Sequence, residues 1–226
     1  MERDRRARVI AIAALLLGVV GLSLGFAAFS NTLTIKSSAE VTVDQGIFNV
    51  DFSTATGSVV GGTVTPSLLP ANGPAGFTGQ NATIDNTGTN AAEIKDLKAT
   101  LTAPGQSVTY SFYTKNAGEL KAYLSSVTFA EVTSGATKTC TAKTGTTQAL
   151  VNSACNGISL KLTLGEEEFT GSKARAQFAS SANHDLEKAG YEAVTVVIAY
   201  ADGSAQADGD FDVAFGNITL NYSSVE

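Results

Sequence analysis

The chain has 226 residues, with 15 Lys and Arg against 21 Asp and Glu, a single histidine, two cysteines and no tryptophan. Residues 1–8 hold four of the basic and two of the acidic residues, so the remainder carries eleven basic against nineteen acidic, net −8, with Arg175 its one arginine. That balance is a poor electrostatic match for nucleic acid or anionic lipid and argues against functions built on either.

Arg3, Arg5, Arg6 and Arg8 precede an uncharged apolar run over residues 9–28. Charges placed this way stay on the cytoplasmic side, so whatever follows is delivered outside, through export machinery, to the cell surface or the extracellular space. Twenty residues make a helix of about 30 Å, long enough to span a bilayer. Gly18, Gly21, Ser23 and Gly25 loosen its second half, and Gly25-Phe26-Ala27 offers small residues at the two positions a signal peptidase reads. We read residues 1–28 as a signal peptide cleaved near Ala27. The alternative is an uncleaved anchor, the chain touching the membrane through residues 9–28 alone.

Residues 29–43 follow without a linker. Leu33, Ile35, Ala39, Val41 and Val43 alternate with Thr34, Lys36, Ser38, Glu40 and Thr42, the period of a one-faced strand, interrupted by Ser37-Ser38. Eleven residues span about 36 Å, longer than an ordinary strand of about 5–6 residues.

Residues 44–226 read as one β-domain, rich in Gly, Thr, Ser, Val and Ala. Phe48, Val50 and Phe52 share a face. Residues 66–80, with three of the four prolines, form an expected long surface loop. Val108, Tyr110 and Phe112, then Leu120, Ala122 and Leu124 across the Asn116-Ala117-Gly118 turn, predict two meander-like antiparallel strands. Cys140 and Cys155 predict one local disulfide in an oxidising exterior, closing a loop. Ile158, Leu160, Leu162 and Leu164 are again in step. Residues 184–190 predict one or two helical turns ending at Gly190. Residues 191–201, apolar on both faces, predict a central strand. Phe211, Val213 and Phe215 shift phase to Ile218, Leu220 and Tyr222, which predicts a bulge near Gly216. Nine or ten strands of this kind fit an all-β, antiparallel two-sheet sandwich, jelly-roll-like, preceded by the apolar export helix.

Three stretches, LGFAAFSNTLTI at the export boundary, LTAPGQSVTYSFYTKNAGELKAYLSSV in the middle and GDFDVAFGNITLNY at the end, together resemble the TasA/camelysin family of exported bacterial proteins. The resemblance implies a jelly-roll sandwich and a biofilm-matrix fibre subunit. In such a fibre the N-terminal segment of one copy completes the sandwich of the next, with Leu33, Ile35, Ala39, Val41 and Val43 on the self-assembly strand. The physical need is an open groove with apolar side chains and unpaired backbone groups, which an added strand satisfies together. Donor and groove are different surfaces of one molecule, so the contact is head-to-tail and propagates. Residues before Ser37 are read as going to the neighbour and those after Ser38 as staying at home. The competing reading makes residues 33–43 the first strand of the chain's own sheet.

Enzyme chemistry finds no residue set. His184 stands without an HExxH motif and is expected on the surface beside Asp185, and GxSxG and phosphate-loop patterns are absent. Glu166, Glu167 and Glu168 are expected as a solvated strand end. Asp202, Asp208, Asp210 and Asp212 among glycines offer hard oxygen donors of the sort calcium accepts, although not at EF-hand spacing, and a plain polar hairpin is the competing reading. No other cofactor is expected. The sequence thus points to a non-enzymatic, self-polymerising structural protein. The second reading is a membrane-tethered module that binds a carbohydrate or host ligand through residues 66–80.

Overall fold

The computed structural model describes residues 47–57, 61–86, 91–179 and 184–224. The apolar export segment, the serine break at 37–38 and the candidate assembly residues Leu33, Ile35, Ala39, Val41 and Val43 lie outside the described residues. Among those described, no helix is long and apolar enough to cross a membrane.

The described residues form sixteen strands and one α-helix, and every sheet is antiparallel. The first sheet is built on β8 (Ser107–Asn116), β14 (Tyr191–Tyr200) and β11 (Ile158–Leu164), in that order. Two short strands, β1 (Val50–Ser53) and β3 (Ser67–Leu69), lie in line along the outer side of β8, and β12 (Glu167–Phe169) covers part of β11. The second sheet runs β13 (Lys173–Ala174), β9 (Tyr123–Phe129), β16 (Ile218–Ser223), β6 (Ala91–Lys95), β5 (Ala82–Asp85), β2 (Thr63–Val64). The third runs β10 (Lys138–Ala142), β15 (Phe211–Phe215), β7 (Lys98–Leu101), β4 (Thr78–Gly79).

Period-two patterning accounts for the long strands. Val108, Tyr110 and Phe112 of β8 are buried together with Thr114 and Asn116, and Val194, Val196, Ile198 and Tyr200 of β14 present the same alternation, between β8 and β11 as a central strand should. These side chains enter a single core, where the rings of Phe52 and Phe112 meet edge-on at 4.8 Å and those of Tyr200 and Phe211 at 5.7 Å. Each large apolar side chain withdrawn from water contributes about 1.5–3 kcal/mol. Tyr110 keeps its polar end satisfied in this core: its hydroxyl donates to the carbonyls of Gln80 (2.8 Å) and Lys98 (3.1 Å), while burial pushes its pKa up to about 12.

Several local expectations change because the chain moves between sheets more often than its pattern reveals. The Asn116 turn does not make a hairpin: β8 belongs to the first sheet and β9 to the second. Asn116 is fully buried and donates from its side-chain amide to the carbonyls of Leu120 (2.7 Å) and Leu186 (2.9 Å), holding the crossing in place. Leu120, expected inside, is 44% exposed on that crossing, whereas Ala122 and Leu124 are buried. The phase shift near Gly216 is a change of sheet, since β15 pairs with β7 and β10 whereas β16 pairs with β6 and β9. The actual bulge sits between Asn221 and Tyr222.

Residues 184–190 form no helix. His184 (φ 48°) and Ala189 (φ 59°) occupy the left-handed region, which a right-handed helix excludes, and Leu186 bridges to Ala122 by a reciprocal pair of backbone bonds. Residues 66–80 contain β3 and β4 and a cis Leu69–Pro70 bond, not one long loop. The described residues hold sixteen strands against the nine or ten expected, and five of them, β2, β3, β4, β12 and β13, of two or three residues each, are too short to leave a period.

Cys140 and Cys155 form the disulfide, with Cα atoms 6.1 Å apart. It ties β10 to the end of the helix α1 (Gln148–Cys155), which occupies what read as plain loop and buries Val151 and Ala154, three residues apart on one face. Opening a crosslink that spans 15 residues should lower unfolding free energy by about 3 kcal/mol, read from urea titrations with and without reductant. A methyl group at Gly216 would stand 1.9 Å from the Ala130 carbonyl oxygen, backbone that cannot step aside. The G216A protein should therefore lose about 1–3 kcal/mol or more, seen as a lower urea midpoint with unchanged slope.

Candidate strand-accepting edge and the buried histidine beside it

The alternation of β11 decides which of its backbone groups find partners. Gly157 and Gly165, just beyond its two ends, bond to Ala201 and Ala193 on the β14 side, so the odd-numbered residues between them face β14 and the even-numbered ones face away. Leu162 and Leu164 are then taken by Phe169 and Glu167 of β12. Below that point β12 has ended, because residues 170–172 cross to the second sheet, where β13 pairs with Val127 and Ser126 of β9. The Ile158 carbonyl accepts from Lys138 Nζ (2.5 Å), which also reaches the Cys155 carbonyl (2.7 Å). Burial pulls the Lys138 pKa down. The Leu160 N–H and C=O, on the same open side, meet no protein group among the described residues.

That open half-edge looks onto a groove of about 250 Å³. Phe129, Ile158, Leu160 and Phe215 form its floor, residues 170–172 one wall and Lys138 the rim. Phe129, Leu160 and Phe215, each 8% exposed, are the most exposed members of the core, and all three open here. On the facing sheet the Phe129 N–H donates to Ser172 Oγ (2.9 Å). The edge at β1 is treated differently: the Asn86 side chain accepts from the Phe52 N–H and donates to the Phe52 carbonyl, both at 2.9 Å, doing at that residue what a neighbouring strand would do.

Beside the groove lies His184, which is 6% exposed and not on the surface. The middle glutamate of the acidic run is buried too. Glu166 and Glu168 stay in solvent, but strand alternation turns Glu167 inward with Phe169, to 7% exposure. His184 Nδ1 lies 2.8 Å from Glu192 Oε1 and Nε2 3.1 Å from Glu167 Oε2, so the ring donates to both carboxylates when it is protonated, with the rings of Phe169 and Phe178 each 5.8 Å away. Glu167 also accepts from Lys173 Nζ and from the Ala179 N–H, both at 3.0 Å. Both imidazole nitrogens thus face carboxylate oxygens. Burial opposes the charged ring, but the hydrogen bond and charge of Glu192, then of Glu167, outweigh it and hold the His184 pKa above its usual 6.5. Desolvation likewise works against Glu167, and Lys173, the Ala179 N–H and His184 overcome it, so its pKa lies below the usual 4.5. Glu192 stands opposite Thr114 across the β14–β8 ladder. Among the described residues no well-formed hydrogen bond reaches the buried Glu192 Oε2, Thr114 Oγ1 or Tyr222 hydroxyl, the last two lying near each other.

The four aspartates singled out for calcium do not converge. Asp208 accepts from the N–H (2.8 Å) and hydroxyl (2.6 Å) of Thr147 at the start of α1, contacts that depress its pKa. Asp212 accepts from the Thr100 hydroxyl (2.7 Å) and pairs with Lys143 (3.4 Å). The carboxylate of Asp210 lies against Gly76, and Asp202 accepts from the neighbouring Gly203 N–H (3.1 Å). Their oxygens tie separate loops together, and among the described residues no three His, Cys, Asp or Glu gather where a metal could sit.

The chain matches no family model, no curated protein and no solved structure. Its site is therefore read from its own geometry. Sequence reading found the apolar face of β11 but neither the end of β12 nor the burial of Glu167 and His184. The one signal available was the odd placement of Phe169 two residues after Glu167, which sets both on one strand face.

The pH dependence of stability follows from these two groups, with Lys173, Asp185, Arg175 and Tyr222 the other titratable neighbours. The His184 contribution is complete below about pH 6.5 and is lost as pH rises through its raised pKa. The Glu167 contribution is complete above about pH 4.5 and is lost as pH falls through its lowered pKa. Tm should therefore plateau between those values and fall on either side. In E192Q the alkaline fall should move to lower pH, with stability near pH 6 reduced by about 1.5–3 kcal/mol, both read from thermal melts across pH 3–9.

Proposed function

We propose that this protein is a non-enzymatic structural subunit of an extracellular fibre or biofilm matrix, assembling head-to-tail by strand donation. In this reading the three antiparallel sheets close as a jelly-roll-like sandwich. The second and third sheets act as one layer, because the chain passes directly between them at Asp96-Leu97 and at Gly216-Asn217. The first sheet is the other layer.

The observation that carries the reading is the half-open edge of β11. A Leu160 amide and carbonyl that no group among the described residues engages stand above an apolar floor, which is the combination an incoming β-strand satisfies and a small polar ligand does not. Residues 29–36 supply a strand of fitting chemistry, with Leu33 and Ile35 on one face. They precede the β-domain directly, so a chain released near Ala27 has them at its end, free to reach a neighbour. The resemblance to the TasA/camelysin family points the same way, as does the disulfide, which suits an oxidising exterior. Export places the assembled material outside the cell.

The exported chain should sediment as polymer and form filaments visible by electron microscopy. Replacing Ile35 with Asp should leave the domain's thermal melt unchanged and the protein monomeric. Filaments that form as readily with Asp at that position would remove strand donation as the mode of assembly. N-terminal sequencing of the material should give a start near Ala28.

A further inference from the structure

Strand donation to β11 meets a length problem. The uncovered part of the edge, residues 158–161, is about 13 Å long, whereas the eight residues 29–36 extend to about 26 Å. The whole of β11, seven residues, offers about 23 Å. The donated segment therefore matches the full edge and is about twice the free half. What occupies the other half is a short strap of the chain's own, residues 167–174.

The strap is lightly attached by backbone. It pairs with β11 over three residues and with β9 over two, and it serves as the edge of both sheets at once. Its hold on the interior comes from Phe169, which is fully buried against Phe178 (5.5 Å), and from Glu167 in the His184 clamp. A buried ionic cluster is a weak source of stability so long as no charge is left alone, and the leaving strap takes Glu167 out together with Lys173 while His184 keeps Glu192. An incoming strand that brings apolar side chains to the Glu167 and Phe169 positions can compete with the strap where it could not compete with a full-length strand.

We propose, building on the assembly reading above, that residues 167–174 are a displaceable plug. In the free subunit the plug fills half of the strand slot and blunts an edge that would otherwise aggregate. The donated strand of a second copy expels it. The His184 clamp, anchored on β14 through Glu192, sets how readily the plug leaves.

Thr163 and Glu168 face each other at a position of the β11–β12 pair that carries no backbone hydrogen bonds, where cross-strand side chains come closest. The T163C/E168C chain can thus be locked by a disulfide. Oxidised, it should elongate filaments at least tenfold more slowly than the parent. Under reductant it should regain the rate of the parent chain held in the same reductant, the reference needed because Cys140–Cys155 opens too. In filaments of the parent, the amides of Glu167 and Phe169 should lose the hydrogen-exchange protection they have in the monomer. The E192Q chain, with a looser clamp, should elongate severalfold faster. If the locked chain elongates like the parent, or if those amides stay protected in the filament, the plug is overturned and strand donation stands. If the parent forms no polymer at all, both fall together.

Discussion

A β-strand cannot leave half of its backbone groups facing an apolar slot without something covering them, and the region around β11 is arranged by that constraint. Upstream of Leu162 the described residues supply Lys138 for one carbonyl and nothing for Leu160. Downstream it supplies β12, but only for three residues before the crossing to β9. The contrast with β1 is informative: there a single asparagine side chain, Asn86, satisfies both backbone groups of Phe52 and closes that residue's edge. One edge is capped by a group that mimics a strand, whereas the other is half open among the described residues.

Polarity is concentrated at the same place. Glu167, His184 and Glu192 are largely removed from water next to two phenylalanine rings, and among the described residues Glu192 Oε2, Thr114 Oγ1 and the Tyr222 hydroxyl close by lack a well-formed hydrogen bond. Elsewhere the core is nearly all apolar, and buried amides such as Asn116 and Gln106 are well bonded, Asn116 to the carbonyls of Leu120 and Leu186, Gln106 to the N–H groups of Thr102 and Ala103 and to the Thr102 hydroxyl. A fold that needed only stability would fill the space beside β12 with aliphatic side chains. Charges held there by mutual pairing give a specific closed geometry instead, one that depends on protonation. The disulfide lies on the other flank of the groove, where it fixes the α1 end whose Cys155 carbonyl shares Lys138 with Ile158.

The long strands were legible because their burial has a period. Val108 to Phe112 and Ile158 to Leu164 alternate over enough residues to exclude a helix, residues 191–201 read as a central strand from being apolar on both faces, and all three proved to be neighbours in one sheet. What stayed hidden was local in a different sense. A two-residue strand such as β13 has no period, and the helix α1 has only Val151 and Ala154 to show for its buried face. His184 carries a charge-capable side chain in a polar stretch and reads as surface. Its burial depends on Glu167 and Glu192, eight and more residues away, being turned inward by strands whose register no local pattern encodes.

By itself the sequence determined that this is an antiparallel β protein with one local disulfide, because alternation and the spacing of two cysteines act over short stretches. Tertiary structure alone decided where the chain changes sheets, at Gly118 and Gly216, since those crossings are set by backbone approaching backbone more closely than any side chain would allow. It also decided which half of β11 the described residues leave uncovered. Pairing is a relation between distant segments, and the point at which β12 stops is fixed by where β9 lies, not by anything written in residues 158–164.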